Sequence, residues 1–448
     1  MDFPLVSFQG GDLTQRGLRS SSHLTRSDAP FLVEDADATS LLNHSLQQLE
    51  EHSVLTSLGI HQRVYVLRSK SKRALLTYHD IGTNHTSFLG FFNHPQMRVL
   101  TRHFTVYHVC APGHHEHASN EIYEVSVKSL RRLKSEPATD QWSESLLPDS
   151  KQVTSTDKTH LDVPLAVGAR RSSAASESGP HYPTLDQLAQ MLTSILGHFG
   201  IDCFIGFGMG AGSNVLARYA LHFPDNVLGL FLLNPTATTH PYYQKFRCRW
   251  WDLPQLQQGV LTDNMLEQLN THWFGYGLDE NADVVRFYHQ LASSLNPVNL
   301  AGYIQSFMER TPLNLVRPIG PCVPSENQAQ RNQPETTVIT TDVCLVTGDR
   351  ATDLCRALAD MNGKMDPKRT QYLMIPDCTG MVMEESPEKL AVDFLHFLRS
   401  IGLLISLTPE KMHQQAVLLQ QAEQERSAQE HSVGGLTPAR LNVESEVY

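Results

Sequence analysis

Between Ile201 and His222 an apolar run, Phe204-Ile205-Gly206-Phe207, passes into Gly208-Met209-Gly210-Ala211-Gly212 and then into Ser213-Asn214-Val215-Leu216-Ala217-Arg218. Glycine at every second position across a strand-to-helix junction marks a turn where backbone lies against backbone and little side chain is tolerated. Such a junction suits a buried strand whose helix packs back on the same sheet, the repeating unit of an α/β layer.

Other runs predict the rest of that sheet. Gln62–Leu67 alternates, Ala74–His79 and Phe104–Val109 are apolar strands, and Val227–Leu233 is apolar throughout, as at the centre of a sheet covered on both faces. Val338–Val346 and Thr370–Ile375 supply two more. Helix-sized segments separate them, so a mostly parallel sheet built from crossovers is expected. In one segment Thr184 is placed to cap a helix whose Leu185, Leu188, Leu192, Ile195 and Leu196 share a face. Residues 236–318 have helical periodicity and hold Trp250, Trp251 and Trp273; in this fold class such a stretch caps the pocket.

Organisation follows from where the pattern fails. Residues 1–51 are mixed and polar and are expected to be a disordered lead-in; the domain proper spans 52–405. Residues 118–180, rich in Ser, Lys, Asp and Glu, interrupt it with too little apolar surface to offset ordering entropy, so they read as a disordered insertion. Residues 406–448 form a helical or disordered tail; its short stripe, Met412, Ala416 and Leu419, runs into Glu423 and Arg426, so a frayed surface helix with a disordered end is expected rather than a coiled coil.

Composition excludes several classes. A net charge of −11 over 448 residues argues against a general nucleic-acid binder. No stretch approaches the length of a spanning helix, and Met1-Asp2-Phe3-Pro4-Leu5 has neither the positive region nor the apolar core of a secretory leader. The seven cysteines are odd in number, scattered and free of any C-x-x-C, which predicts reduced, buried thiols and a cytosolic chain. His114-His115-Glu116-His117 has no second cluster to complete a metal shell and reads as a solvated loop, and the glycine spacing 206, 208, 210, 212 is not that of a dinucleotide loop. No metal or cofactor is expected.

The glycine-rich junction has the form of a nucleophile elbow, G-x-S-x-G, in which a strained turn lifts a serine above the sheet of an acyl-transfer enzyme. Centred between Gly206 and Gly210, the nucleophile position is Gly208, which carries no attacking atom. An orienting acid would follow the strand ending at Val346, where Asp349 and Asp353 stand; the base position after the last strand, next to Gly380, is Met381. A serine further on, Ser213, lies on the helix rather than the turn. The segment Tyr78-His79-Asp80-Ile81-Gly82 falls where an oxyanion loop belongs. His79, Asp80 and Gly82, with Phe207 and Met209 of the elbow, are the candidates for lining a ligand pocket, although His79 and Asp80 also suit a purely structural turn. Arg170-Arg171-Ser172-Ser173 offers two serines, Ser172 and Ser173, to a basic-directed kinase.

These pieces resemble the N-myc downstream-regulated (NDRG) family. The resemblance rests on Leu76–Gly82 with Asn84, His108–Gly113, Asp186–Ala189, the elbow through Leu221, Leu232–Pro235, Val346–Asp349 and Lys364–Pro367, and it covers roughly 54–403 apart from the insertion. It implies an α/β-hydrolase fold with a helical cap and no hydrolase activity. It further implies a cytosolic protein of signalling, membrane trafficking, differentiation and stress response that acts through protein partners. The long insertion, extended N-terminus and divergent tail depart from the family. A small-molecule or lipid sensor using the former pocket, with peripheral membrane association, stays open, as does a hydrolase rearranged around His79, Asp80 or Asp349.

Overall fold

The computed structural model describes residues 49–122, 181–237, 252–275, 281–318 and 337–433. Its centre is an eight-stranded sheet in the spatial order β1-β2-β4-β3-β5-β6-β7-β8. The strands are β1 (Glu50–Leu55), β2 (His61–Leu67), β3 (Ala74–Tyr78), β4 (Thr105–Val109), β5 (Phe204–Met209), β6 (Val227–Leu233), β7 (Val343–Gly348) and β8 (Thr370–Ile375). The pairs β1–β2 and β2–β4 are antiparallel, and every pair from β4 across to β8 is parallel. All residues of β3, β4, β5 and β7 are buried, because crossover helices cover both faces of the parallel part. In β2 buried positions alternate with half-buried ones, the mark of a strand with one wetter face. This is the α/β architecture expected.

One strand begins inside the segment read as a lead-in. β1 starts at Glu50, and its buried residue is Val54 alone, so it has no apolar alternation to betray it. Its order comes from backbone pairing with β2. β7 also sits later than expected, at 343–348 rather than 338–346.

The helix α1 (Thr86–Phe92) follows the β3 loop, and α2 (Pro95–Thr101) leads back to β4. Helix α3 (Leu185–Phe199) begins as its sequence dictates: Thr184 accepts the Gln187 N–H while Gln187 reaches back to the Thr184 N–H, a complete capping box. Gly200, in the left-handed conformation, stops it. Helix α4 (Ala211–His222) leaves β5 and is buried along nearly its whole length. Phe88, Phe91, Phe92, Phe207, Phe231 and Phe394 then pack together across one side of the sheet, with ring centroids 5.0–6.1 Å apart; Phe207 is stacked near-parallel to Phe91 and Phe231, and the other contacts are edge to face.

The cap contributes α5 (Leu253–Gln257), α6 (Asp263–Phe274), α7 (Ala282–Ser294) and α8 (Pro297–Met308). After β7 come α9 (Thr352–Gly363), then α10 (Val382–Glu385) and α11 (Pro387–Ser400). The tail supplies α12 (Pro409–Val433), whose Met412, Ala416 and Leu419 are buried, the stripe that the sequence marked. It packs against α2, and Arg98 pairs with Glu423 at 2.5 Å. Most of the expected lead-in and insertion, Trp250, Trp251, Ser172, Ser173 and the end of the tail lie outside the described residues. Among the described residues no helix is long and apolar enough to cross a membrane.

Candidate functional site

The turn between β5 and α4 settles which glycine stands at the apex. Gly208 is inside β5, opposite Tyr78 and Leu232, so the centring inferred from sequence is two residues early. The apex is Gly210, at φ 52° and ψ −112°, a strained conformation that an L side chain rarely adopts. Four evenly spaced glycines, Gly206 to Gly212, leave that register ambiguous in sequence; the helix start at Ala211 resolves it. Gly208 and Gly212 are then the flanking glycines, and both have packing reasons. A Cβ at Gly208 would stand 2.7 Å from the Ser213 Cα, and one at Gly212 would run into the Tyr78 carbonyl. Whichever glycine is taken as centre, the apex bears no nucleophile.

The space above the apex is occupied. The Asp80 carboxylate lies where a Gly210 side chain would begin: all three of its carboxyl atoms fall 2.1–2.2 Å from an ideal Cβ. Its Oδ1 accepts the Ile81 N–H at 2.8 Å and the Ala211 N–H at 2.7 Å. In an acyl-transfer elbow, the N–H of the residue after the nucleophile and one from the loop after β3 hold the oxyanion of the tetrahedral intermediate. Ala211 and Ile81 stand in those two places. Asp80 therefore supplies an internal anion to a formed oxyanion hole, and its Oδ2 accepts from His272 Nε2 at 2.8 Å.

His79 is equally committed. Its Nδ1 donates to the Asp80 carbonyl and its Nε2 accepts the Ala111 N–H, both at 2.8 Å, which fixes a neutral ring in one tautomer. Burial holds its pKa well below the usual imidazole range, and His114 beside it adds to the effect. His114 is itself fully buried, tilted against His79 and edge to face with Tyr182 and Tyr303, with Nδ1 donating to the Pro112 carbonyl at 3.0 Å. The solvated-loop reading is therefore corrected for His114, while Glu116 and His117 are exposed. Ser213 is buried and spends its hydroxyl on the Leu233 carbonyl at 2.8 Å.

Cap residues close the site from above. Trp273 is fully buried, donates Nε1–H to the Ile81 carbonyl at 2.8 Å, and lies over Gly82 so closely that a Cβ there would meet its ring at 2.5 Å. Tyr303 donates to the His79 carbonyl at 3.1 Å, and the Gly380 N–H donates to the Phe274 carbonyl at 3.1 Å. Farther along, Tyr288 donates to Glu384 and Asn281 to Glu385, each at 2.6 Å. Arg310 stacks 3.9 Å above the Phe307 ring and donates to the Thr236 hydroxyl; burial pulls its pKa down to about 9.

Comparison with known proteins places this chain. The Ndr family model matches residues 51–136 and 153–405. The chain belongs to the Ndr family. Protein NDRG3 of Xenopus laevis is 30% identical over 372 residues, covering 81% of this chain and 78% of the relative. Protein NDRG4 of Xenopus tropicalis is 29% identical over 401 residues, covering 88% and 80%. Among solved structures, a hydrolase from Pseudomonas aeruginosa superposes with a TM-score of 0.50 at 18% identity, over 79% of this chain and 99% of its own. A thermophilic esterase from Thermogutta terrifontis also gives 0.50, at 14% identity, over 79% and 99%. These likenesses show an α/β-hydrolase fold.

In this Ndr-family chain the remaining sequence candidates are dispersed. Asp349 is exposed on the loop after β7, and Asp353 pairs with Arg356 at 3.1 Å on the surface of α9. Met381 is fully buried at the start of α10, after β8, and its N–H donates to the Thr379 hydroxyl at 3.3 Å. Phe207 points into the phenylalanine stack rather than toward the apex, and Met209 is buried in the core. Asp80, His79 and Gly82 do gather at the apex. Sequence reasoning missed Gly210, His272 and Trp273. The first was recoverable from the helix start, whereas no pattern in α6 says which of its residues reach 192 positions back to the β3 loop.

Proposed function

We propose that this chain is a non-catalytic α/β-hydrolase-like protein of the NDRG type, a cytoplasmic adaptor in signalling or trafficking during differentiation or stress. What carries the reading is the Asp80 carboxylate on the Ile81 and Ala211 N–H groups above Gly210. An ester must place its carbonyl oxygen on those same two donors to be activated, and an anion already holding both excludes it. With Gly210 at the nucleophile position and Met381 at the base position, neither bond-forming nor proton-transferring atoms are supplied. Asp349, exposed on its loop, has no base to orient. The cap that buries Trp273 over Gly82 weighs against a small-molecule sensor in the former pocket, and the spent lone pair of His79 weighs against chemistry rearranged around it. Adaptor function then falls to surfaces, with Ser172 and Ser173 as candidate modification sites.

The test is a panel of short and long acyl esters offered to the purified full chain beside its Asp80→Ala and Asp349→Ala variants. No turnover in the parent above either variant is expected. Turnover by the parent that falls in Asp80→Ala would overturn the reading. Affinity capture from cells, with 123–180 deleted in a parallel bait, should lose a defined set of interactors; an unchanged set counts against the adaptor role.

A further inference from the structure

The sheet has two ends, and their chemistry differs. β1 closes one end with Glu50, Glu51 and His52; Glu50 pairs with Arg68 at 2.7 Å and Glu51 with Arg63 at 3.1 Å. Charges along an edge strand discourage pairing with another chain. β8 closes the other end with Thr370-Gln371-Tyr372-Leu373-Met374-Ile375, which has no charge and no proline, and Met374 is 48% exposed. By composition this edge is open to pairing.

Hydrogen bonding to β7 fixes which β8 groups point outward. The Val343 N–H donates to the Arg369 carbonyl at 2.8 Å and the Asp349 N–H to the Ile375 carbonyl at 3.0 Å. Since backbone groups alternate along a strand, Arg369, Gln371, Leu373 and Ile375 face β7. Thr370, Tyr372 and Met374 then turn their N–H and C=O groups away from it, and the sheet order ends there among the described residues. The window is bounded symmetrically. At the next outward position on one side the Lys368 N–H is already held by Asp366 Oδ1 at 2.9 Å, and on the other Pro376 has no N–H to give.

We propose that β8 pairs antiparallel with β8 of a second copy of this chain across a twofold axis centred on Tyr372. In that register Thr370 faces Met374 of the other copy, Tyr372 faces Tyr372, and the three outward residues exchange both of their hydrogen bonds. The exposed Lys368 and Arg369 of one copy come beside the exposed Asp377 of the other at both ends, so the flanking charges are complementary. Tyr372 meets its twin on one face, the aromatic cross-strand pair that stabilises an antiparallel ladder.

The test is sedimentation of the full-length protein over a dilution series, beside Met374→Lys, whose exposed position tolerates lysine without loss of the fold. A concentration-dependent dimer in the parent, with Met374→Lys staying monomeric at the same far-UV circular dichroism, is expected. Tyr372→Cys should oxidise to a disulfide-linked dimer, because the two Cβ atoms face each other, whereas Gln371→Cys, on the opposite face and off the axis, should not. A parent that stays monomeric at every concentration overturns the proposal. So does a dimer indifferent to Met374→Lys, or one in which Gln371→Cys crosslinks as readily as Tyr372→Cys.

Discussion

Placing a serine at the apex should cost stability, and the size of the cost tests whether Asp80 fills the volume above Gly210. Gly210→Ser puts a Cβ at φ 52°, a backbone strain of about 1–3 kcal/mol. It also forces that Cβ into the Asp80 carboxyl group at 2.1 Å, an overpacking cost of about 1–3 kcal/mol more. Asp80→Ala acts differently: it strips the acceptor from the Ile81, Ala211 and His272 N–H groups, at about 1–3 kcal/mol for each group left dry. In the double variant the backbone strain remains but the overlap is gone, and a serine Oγ can take up part of the space. The two single costs should therefore fail to add, with the double variant more stable than their sum by about 1–3 kcal/mol. Urea denaturation of the four proteins, followed by circular dichroism, measures the cycle. Additivity within about 0.5 kcal/mol would mean that the serine and the carboxylate do not compete for one volume, and the reasoning would be wrong.

Burial holds the folded-state pKa of His85 and His114 down at about 4 and of His108 at about 3, against 6.5 when free. The unfolded chain thus takes up protons first, so stability should be full above pH 6.5 and fall below it, by up to about 2 kcal/mol for each of the three at pH 5. A denaturation series from pH 5 to pH 7.5 that stayed flat would refute this. Glu384 works in the opposite direction: burial pushes its carboxyl up to about 8 from 4.5, so its contribution is complete below 4.5 and is lost as the pH rises to about 8. Glu384→Gln, permanently neutral, should be more stable than the parent at pH 7 by on the order of 1–3 kcal/mol, with the gap vanishing near pH 4.5. Trp273→Ala should lower stability by about 3–5 kcal/mol in thermal or urea unfolding, because it removes a fully buried indole and orphans the Ile81 carbonyl. A loss under 1 kcal/mol would show that the cap is not anchored through it.

What could be read from the chain was whatever rests on local pattern. Strands buried on both faces announce themselves as apolar runs, and Thr184 announces the start of α3; the tail stripe is too short to tell a packed helix from a surface one, and its burial against α2 comes from the fold. β1 did not announce itself, because a charged edge strand is ordered by its partner and not by its own residues. The position of the apex was a question of register, and evenly spaced glycines satisfy two registers equally. Least legible was His114, a histidine in a polar run that the fold places between His79 and Tyr303; nothing local distinguishes it from exposed His117. The site failed in the same way. Asp80 could be singled out by sequence, but its role depends on Ala211 and His272, which lie 131 and 192 residues away.

Gly210 and Asp80 make sense together rather than one at a time. A hole built from two convergent N–H groups in a water-excluded turn needs an acceptor, because buried donors without one cost free energy in every folded molecule. An enzyme leaves that cost for substrate to relieve, and strains a serine above the hole to meet it. Here glycine removes the side-chain strain at φ 52° and vacates the volume, and the Asp80 carboxylate enters it and satisfies both donors. His272 and Trp273 then tie the cap to that loop, through Asp80 Oδ2 and the Ile81 carbonyl. Two features that catalysis keeps strained and open are thus converted into packing and hydrogen bonds. Reversing either one alone should therefore destabilise the protein.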